Sequence, residues 1–244
     1  MADDAVFEQV GWRARFGWAG NDVALLAPLS DLVVVVDVLR FTTAVTVAVE
    51  RGARVYPFRY RDDRAGELAA RVGAVLADGS DPRGPSLSPV AMQRLGPGDR
   101  IVLPSPNGAT VTLAAAEDGA NVMAASLRNA SAAGARAVAT AGVVSVIASG
   151  ERWPDGSLRP CLEDLLGAGA VLAGFPAGER SPEANAAVAA FEAARDDLTG
   201  ALVACGSGRE LVGRSLRDDV VMAAALDTSA ALPVWRDGAY AAAD

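Results

Sequence analysis

The 244-residue chain contains no histidine and no lysine, so all 22 of its basic residues are arginine. Chemistry that needs an imidazole base, a Schiff-base or pyridoxal lysine, or the lysine of a phosphate loop is therefore excluded. Acid–base work in such a protein falls to carboxylates, a metal-bound water, or a Ser, Thr, Tyr or Cys. Cysteine is scarce too. Cys161 and Cys205 have neither metal-ligand spacing nor a disulfide framework, and they read as small buried apolar side chains. No apolar run approaches the roughly 18–20 residues of a membrane span. The N-terminal stretch has no basic segment leading into an apolar one, and Trp12 and Trp18 sit there among charged residues and glycines. A cytoplasmic protein with no membrane partner is the expectation. A net charge of −8 gives no electrostatic footprint for a phosphate backbone, which argues against nucleic acid.

What is present is an apolar half, 51% of residues, ample for a core. Runs rich in β-branched residues alternate with alanine-rich stretches. Strands are expected near 32–37, 53–57, 74–77, 100–103, 121–124, 143–148 and 201–205. Helices are expected near 42–50, 62–71, 109–117, 129–139, 161–173 and 182–198. The alternation predicts an α/β fold, layered α/β/α with a mostly parallel or mixed sheet, as one domain over 1–244. Gly52 and Gly119 read as left-handed helix stops, and Ser181 before Pro182 as an N-cap with proline at the first helical position. Shifting the chain by 67 residues lays 35–55 on 102–122 with seven identities in 21 positions. That match suggests two related strand-loop-helix-strand units, although alanine and valine richness produces matches by chance. If the units are related, the loops at 37–42 and 104–109 occupy equivalent strand ends, where open α/β sheets place ligands.

The segment VVVVDVLRFTT, 33–43, runs from a strand fit for burial on both faces into a carboxylate, an arginine and two hydroxyls. Free amides at the start of the following helix suit an anion, Thr42 or Thr43 can cap or donate, and Arg40 offers a planar fork to phosphate or carboxylate. Asp37 repels that same anion, so a divalent cation between them is one explanation, and an Asp37–Arg40 ion pair with a threonine cap is the other. The second loop, Pro104 to Thr110, carries neutral groups instead: Ser105, Asn107 and Gly108 form either an anion cradle or a plain capping turn. SLRNAS, 126–131, brings Arg128 and Asn129 to the same edge if the sheet is parallel there, and Asn129 also suits an N-cap. A third acidic element, 149–164, is long for a connection. Its Glu151 leaves a strand end as Asp37 does, and Glu163 and Asp164 fall where a helix dipole favours acids. Magnesium takes oxygen ligands and retains several waters, so two or three of Asp37, Glu151, Glu163 and Asp164 suffice. The loop 78–89, with Asp81 and Arg83, either closes over a substrate or crosses the surface. In CGSGRELVG, 205–213, the glycines miss the dinucleotide spacing, and Ser207 with Glu210 reads as a capping box.

Taken in order, VVVVDVLRFTTAVTVAVERGA, SPNGAT, SLRNA and CLEDLLGAGAV resemble segments of the 2-phosphosulfolactate phosphatase family, magnesium-dependent phosphatases associated with coenzyme M biosynthesis. The likeness covers roughly 30–175, with a weaker stretch toward the C-terminus. It implies a layered α/β fold with a mixed sheet and hydrolysis of phosphate monoesters of 2-hydroxycarboxylic acids such as 2-phospho-3-sulfolactate. The chain departs from the family pattern in GSDPRGPSLSP, in Pro106 before Asn107, and in the longer ERWPDGSLRP before the Glu-Asp helix. These loops are the ones expected to contact the group beyond the phosphate. The reading reached is metal-assisted phosphate hydrolysis on a small phosphorylated hydroxyacid. Asp37, Glu151, Glu163 and Asp164 would serve Mg2+, with Asp37, Arg40, Glu151 and Asp164 as the catalytic set. Thr42, Thr43, Ser105, Asn107, Gly108, Arg128 and Asn129 would hold the substrate. A homodimer is compatible with this reading. An anion-binding protein without turnover, or a metal-dependent lyase of a related hydroxyacid, are the alternatives.

Overall fold

A computed structural model of the protein describes residues 4–60, 62–81 and 84–243. Nine strands form one sheet: β1 (Ala14–Trp18), β2 (Leu32–Val36), β3 (Arg54–Phe58), β4 (Val75–Leu76), β5 (Arg100–Pro104), β6 (Asn121–Ala125), β7 (Val144–Ala148), β10 (Pro233–Arg236) and β11 (Ala239–Ala242). Two short strands, β8 (Glu151–Arg152) and β9 (Leu158–Arg159), make a separate hairpin. Around the sheet lie α1 (Asn21–Leu26), α2 (Phe41–Glu50), α3 (Asp63–Val72), α4 (Pro89–Met92), α5 (Gly108–Glu117), α6 (Ala130–Ala139), α7 (Leu162–Leu172), α8 (Pro182–Ala194), α9 (Leu198–Ala204), α10 (Gly206–Gly213) and α11 (Arg217–Ala223).

The α/β/α layering follows from side-chain alternation along the strands. In β2, Val34 and Val36 enter a core built with α6 to α11, while Val33 and Val35 enter a second core with α1, α2, α4 and α5. All four valines are fully buried, each contributing about 1.5–3 kcal/mol. In β3 and β5 the alternation continues: Val55, Ile101 and Leu103 face the second core, and Tyr56 and Val102 face α3.

The strand order is β1-β7-β2-β6-β10-β11-β3-β5-β4. β1, β7, β2 and β6 pair in parallel, as do β3, β5 and β4, and the antiparallel hairpin β10–β11 joins the two blocks. Three antiparallel steps reverse the direction of one block relative to the other, so the sheet is mixed. The 67-residue offset carries α2 onto α5 and β3 onto β6 residue for residue, and β2 onto β5 within one position. Gly52 and Gly119, the paired helix stops, both have positive φ, 83° and 80°. The units interlock, since β2 of the first pairs with β6 of the second and β3 of the first with β5 of the second.

Three expectations change, and one residue is left undescribed. Residues 201–205 are not a strand: a short run of Ala, Leu and Val has no decisive period, and Asp197, which accepts from Gly200 N at 2.8 Å, starts helix α9 there. The helix expected over 182–198 stops at Ala194, because that cap and a 3-10 turn intervene. The N-cap of α10 is Cys205, whose sulfur accepts from Gly208 N, while Ser207 lies buried inside the first turn rather than forming a capping box with Glu210. Arg83 lies outside the described residues. The sequence reading also omitted β1 and the β10–β11 hairpin, whose turn, Asp237–Gly238, has φ of 51° and 80°, as a tight Asp-Gly hairpin requires.

Candidate active site

Asp37, one residue beyond β2 and 5% exposed, is gripped from the starts of two helices. Its Oδ1 accepts from Phe41 N at 3.1 Å and its Oδ2 from Gly108 N at 2.8 Å. Phe41 and Gly108 are the first residues of α2 and α5 and are 67 positions apart. Equivalent amides of the two units therefore hold the two oxygens of one carboxylate, as free helix-terminal N–H groups favour. Only glycine fits at 108, because a Cβ there would overlap the Phe41 ring and stand 2.7 Å from Asp37 Oδ2.

A second buried acid, Asp164, in the first turn of α7, bridges the Asp37 loop and the loop after β7, accepting from Val38 N at 2.7 Å and from Gly150 N at 2.8 Å. Beside it Glu163 accepts the Cys205 thiol at 3.2 Å, and Glu151, half-buried, begins β8. The four acids share one electrostatic neighbourhood. Burial pushes Asp37 from its ordinary value up to about 7; the Phe41 and Gly108 amides oppose the rise, and the charges of Glu151 and Glu163 add to it. Burial likewise pushes Asp164 well up, with the charges of Asp37 and Glu163 adding and the Val38 and Gly150 amides opposing. Burial also raises both thiols, Cys205 to about 12 and Cys161 further, the latter aided by Glu163 and Asp164. Neither cysteine is a ready thiolate nucleophile.

Arg40, the N-cap of α2, does not pair with Asp37. Its Nη1 lies 2.5 Å from Asp219 Oδ2, and the other oxygen of Asp219 accepts from Ser88 Oγ at 2.5 Å. Asp219 is 2% exposed in the first turn of α11, so the link is an inner one between segments 179 positions apart. Sequence reading missed Asp219 and Ser88; an acid at a helix start looks like simple dipole matching. Arg40 also lines a cavity of about 690 Å³ together with Asp78, Ser86, Ser88 and Arg214, so residues 78–79 and 86–88 form one wall of it.

The remaining expected residues are distributed unevenly. Thr42 Oγ1 accepts from Asp37 N and donates to Asp37 O, and Thr43 Oγ1 donates to Val38 O, so both hydroxyls close the loop. Ser105, 2% exposed, follows β5, and Asn107, half-buried, is the N-cap of α5. The amide of Asn129 is engaged at both ends, accepting from Ser126 N at 2.8 Å and donating to Ala231 O at 2.8 Å. Arg128 does not join the acids. Its Nη2 is 3.8 Å from Glu50, the last residue of α2, and nine residues of helix at 1.5 Å each put roughly 13 Å between Glu50 and the amide on Asp37. The parallel sheet brings the Arg128 backbone to the right edge, but the side chain turns along α2.

A family model for 2-phosphosulpholactate phosphatase matches residues 24–238, a span that takes in all four acids, Arg40 and Asp219. The chain belongs to that family. Among relatives of the 2-phosphosulpholactate phosphatase family, a protein of Thermus thermophilus named probable 2-phosphosulfolactate phosphatase is 34% identical over 222 residues, 84% of this chain and 88% of the relative. One of the same name from Gloeobacter violaceus is 32% identical over 221 residues, 83% of this chain and 87% of the relative. Among the described residues no three acidic, cysteine or histidine side chains form a ready metal cage, and no helix is long and apolar enough to cross a membrane. A hard, largely hydrated cation held by one or two carboxylates still fits this all-oxygen set, since a positive ion would offset the burial and mutual repulsion that push Asp37 and Asp164 upward.

Proposed function

We propose that this protein is a phosphoric monoester hydrolase that releases phosphate from a 2-phosphorylated hydroxycarboxylic acid of the 2-phospho-3-sulfolactate kind, with Mg2+ as its cofactor. What supports this reading is the shared electrostatic neighbourhood of Asp37, held at the starts of α2 and α5, Glu163 and Asp164 in the first turn of α7, and Glu151 at the start of β8, with Arg40 in the same loop as Asp37. Asp37 and Asp164 would hold the ion, with Glu151 and Glu163 completing its charge balance. The chemistry such an ion supplies is Lewis-acid polarisation of a phosphoryl oxygen. Asp37 and Asp164 keep their positions through four backbone amides, so the site needs little rearrangement when the ion's charge arrives. Arg40, locked by Asp219, presents the rest of its guanidinium fork to phosphoryl or carboxylate oxygens. Glu151, the half-buried acid of the four, would pass a proton between solvent and the departing 2-hydroxyl oxygen. Positioning and electrostatics supply most of phosphoryl-transfer catalysis, so a chain without histidine suffices.

Phosphate release from 2-phospho-3-sulfolactate, 2-phospholactate and phosphoglycolate, with and without Mg2+, tests this. Mg2+-dependent release is expected, with the sulfonated compound preferred. Tight binding of the dephosphorylated acid with no release would make this a binding protein, and a product formed without inorganic phosphate would make it a lyase.

A further inference from the structure

We propose that a recess between the start of α5 and the β8–β9 hairpin binds a second oxyanion of the substrate, its carboxylate or its sulfonate, apart from the phosphate. This rests on the reading of a phosphorylated hydroxyacid substrate given above. The recess measures about 90 Å³ and is lined by Asn107, Thr110, Ser149 and Arg152, with Val23 and Leu158 among its apolar walls. Pockets for whole small molecules are usually about 300–1,000 Å³, so this one accepts a single acidic group rather than a complete ligand.

The hydroxyl of Ser149 points to a ligand. Ser149 is 2% exposed and its Oγ is buried without a hydrogen-bond partner, a condition that folded proteins rarely leave unanswered. Ten-residue α5 turns its positive end to the same space, and Asn107 at its N-cap makes no capping bond, leaving its amide group available. Hairpin parity supplies the cation. Arg152 and Leu158 are cross-strand partners and share the face that lines the recess, whereas the Glu151–Arg159 pair occupies the opposite face, where Glu151 acts on Asp37. Arg152 spends one donor on Gly156 O at 2.9 Å and keeps the rest of its fork.

Position links the recess to the acids. Asn107 and Ser149 stand one residue before Gly108 and Gly150, whose amides hold Asp37 and Asp164. A phosphoryl group at those carboxylates leaves the neighbouring acidic arm of a small hydroxyacid within reach of Ser149 and Arg152. By delivering Arg152 to the recess, the β8–β9 hairpin becomes a determinant of which arm is accepted.

Calorimetric titration of the wild type and the S149A, S149V and R152Q variants with 3-sulfolactate, lactate and inorganic phosphate, in the presence of Mg2+, tests the proposal without requiring turnover. S149V, which fills the recess, and R152Q are expected to weaken 3-sulfolactate binding about tenfold or more, and S149A less, with phosphate affinity unchanged. Loss confined to 3-sulfolactate identifies the sulfonate as the occupant; loss for lactate as well identifies the carboxylate. Equal loss for phosphate, no loss in any variant, or no binding of 3-sulfolactate by the wild type overturns it. S149A removes only an unpartnered hydroxyl and carries the test should S149V fail to fold. Absence of phosphate release from every phosphorylated acid would sink the phosphatase reading alone, and the titration would still decide the recess.

Discussion

At the first strand-to-helix loop the Phe41 amide reaches one oxygen of Asp37; at the second, 67 residues on, the Gly108 amide reaches the other. The backbones correspond, but the side chains do not. Where the first loop has Asp37, Arg40 and Phe41, the second has Pro104, Asn107 and Gly108. The first loop carries the charge and the bulk; the second supplies neutral donors and the space that the Phe41 ring fills. Two loops at corresponding strand ends thus build one asymmetric site instead of two equal ones, because a second aspartate facing the first would add repulsion where Asp37 already meets Glu151 and Glu163.

Replacing the charged side of this comparison has the largest expected effect. Asp37→Asn keeps the shape and removes the charge, and phosphate release is expected to fall about 10²–10³-fold with loss of its Mg2+ dependence. Unchanged Mg2+ dependence would remove Asp37 from the ion's site. On the neutral side, Gly108→Ala drives a Cβ into Phe41 and is expected to destabilise by about 1–3 kcal/mol in chemical denaturation. Adding Phe41→Leu should recover part of that loss, and a double-mutant cycle with no coupling would show that the two first-turn residues do not share the space.

Arg40 and Asn107 are the equivalent N-caps, and only the charged one has an inner partner. Asp219→Asn is expected to raise KM about tenfold, the worth of one charge-assisted hydrogen bond, with a smaller change in kcat. Equal falls in kcat and kcat/KM would mean that Asp219 acts on the reacting atoms and not through Arg40. The smallest effect concerns pH. Native Asp37 keeps its proton until about pH 7, whereas the unfolded chain releases it near the ordinary value of 3.8, so the unfolded state binds fewer protons between them. Stability of the Mg2+-free protein is therefore full below that window and declines as pH rises through it; Asp164 acts in the same direction. Urea midpoints from pH 4 to 8 check this, and Mg2+ at pH 8 should restore part of the decline. A midpoint that climbs with pH would contradict the burial of uncompensated acids.

How much of this could be read from residues depends on distance along the chain. The four acids were legible because each leaves a strand end or opens a helix, a position local pattern reveals. Arg40 was legible as a cation near Asp37, yet its partner Asp219 was not, since only the packing of α11 against the loop brings them together. For Arg128 the backbone position was right and the side-chain direction was not; strand order says nothing about which way a long flexible stem turns. The helix at 198–204 was hidden by a short apolar run that suits either element, and the β10–β11 hairpin by its brevity, although Asp237–Gly238 carried the turn signal.

That hairpin has a consequence for how the protein is made. The seam between the two parallel blocks is filled by residues 233–242, which leave a ribosome only after every strand of both blocks. Until they emerge, β6 and β3 each present an unzipped border, the kind of edge that recruits foreign strands. Chains halted shortly before position 233 are thus expected to need chaperone shielding, while chains halted after 242 can close the sheet unaided.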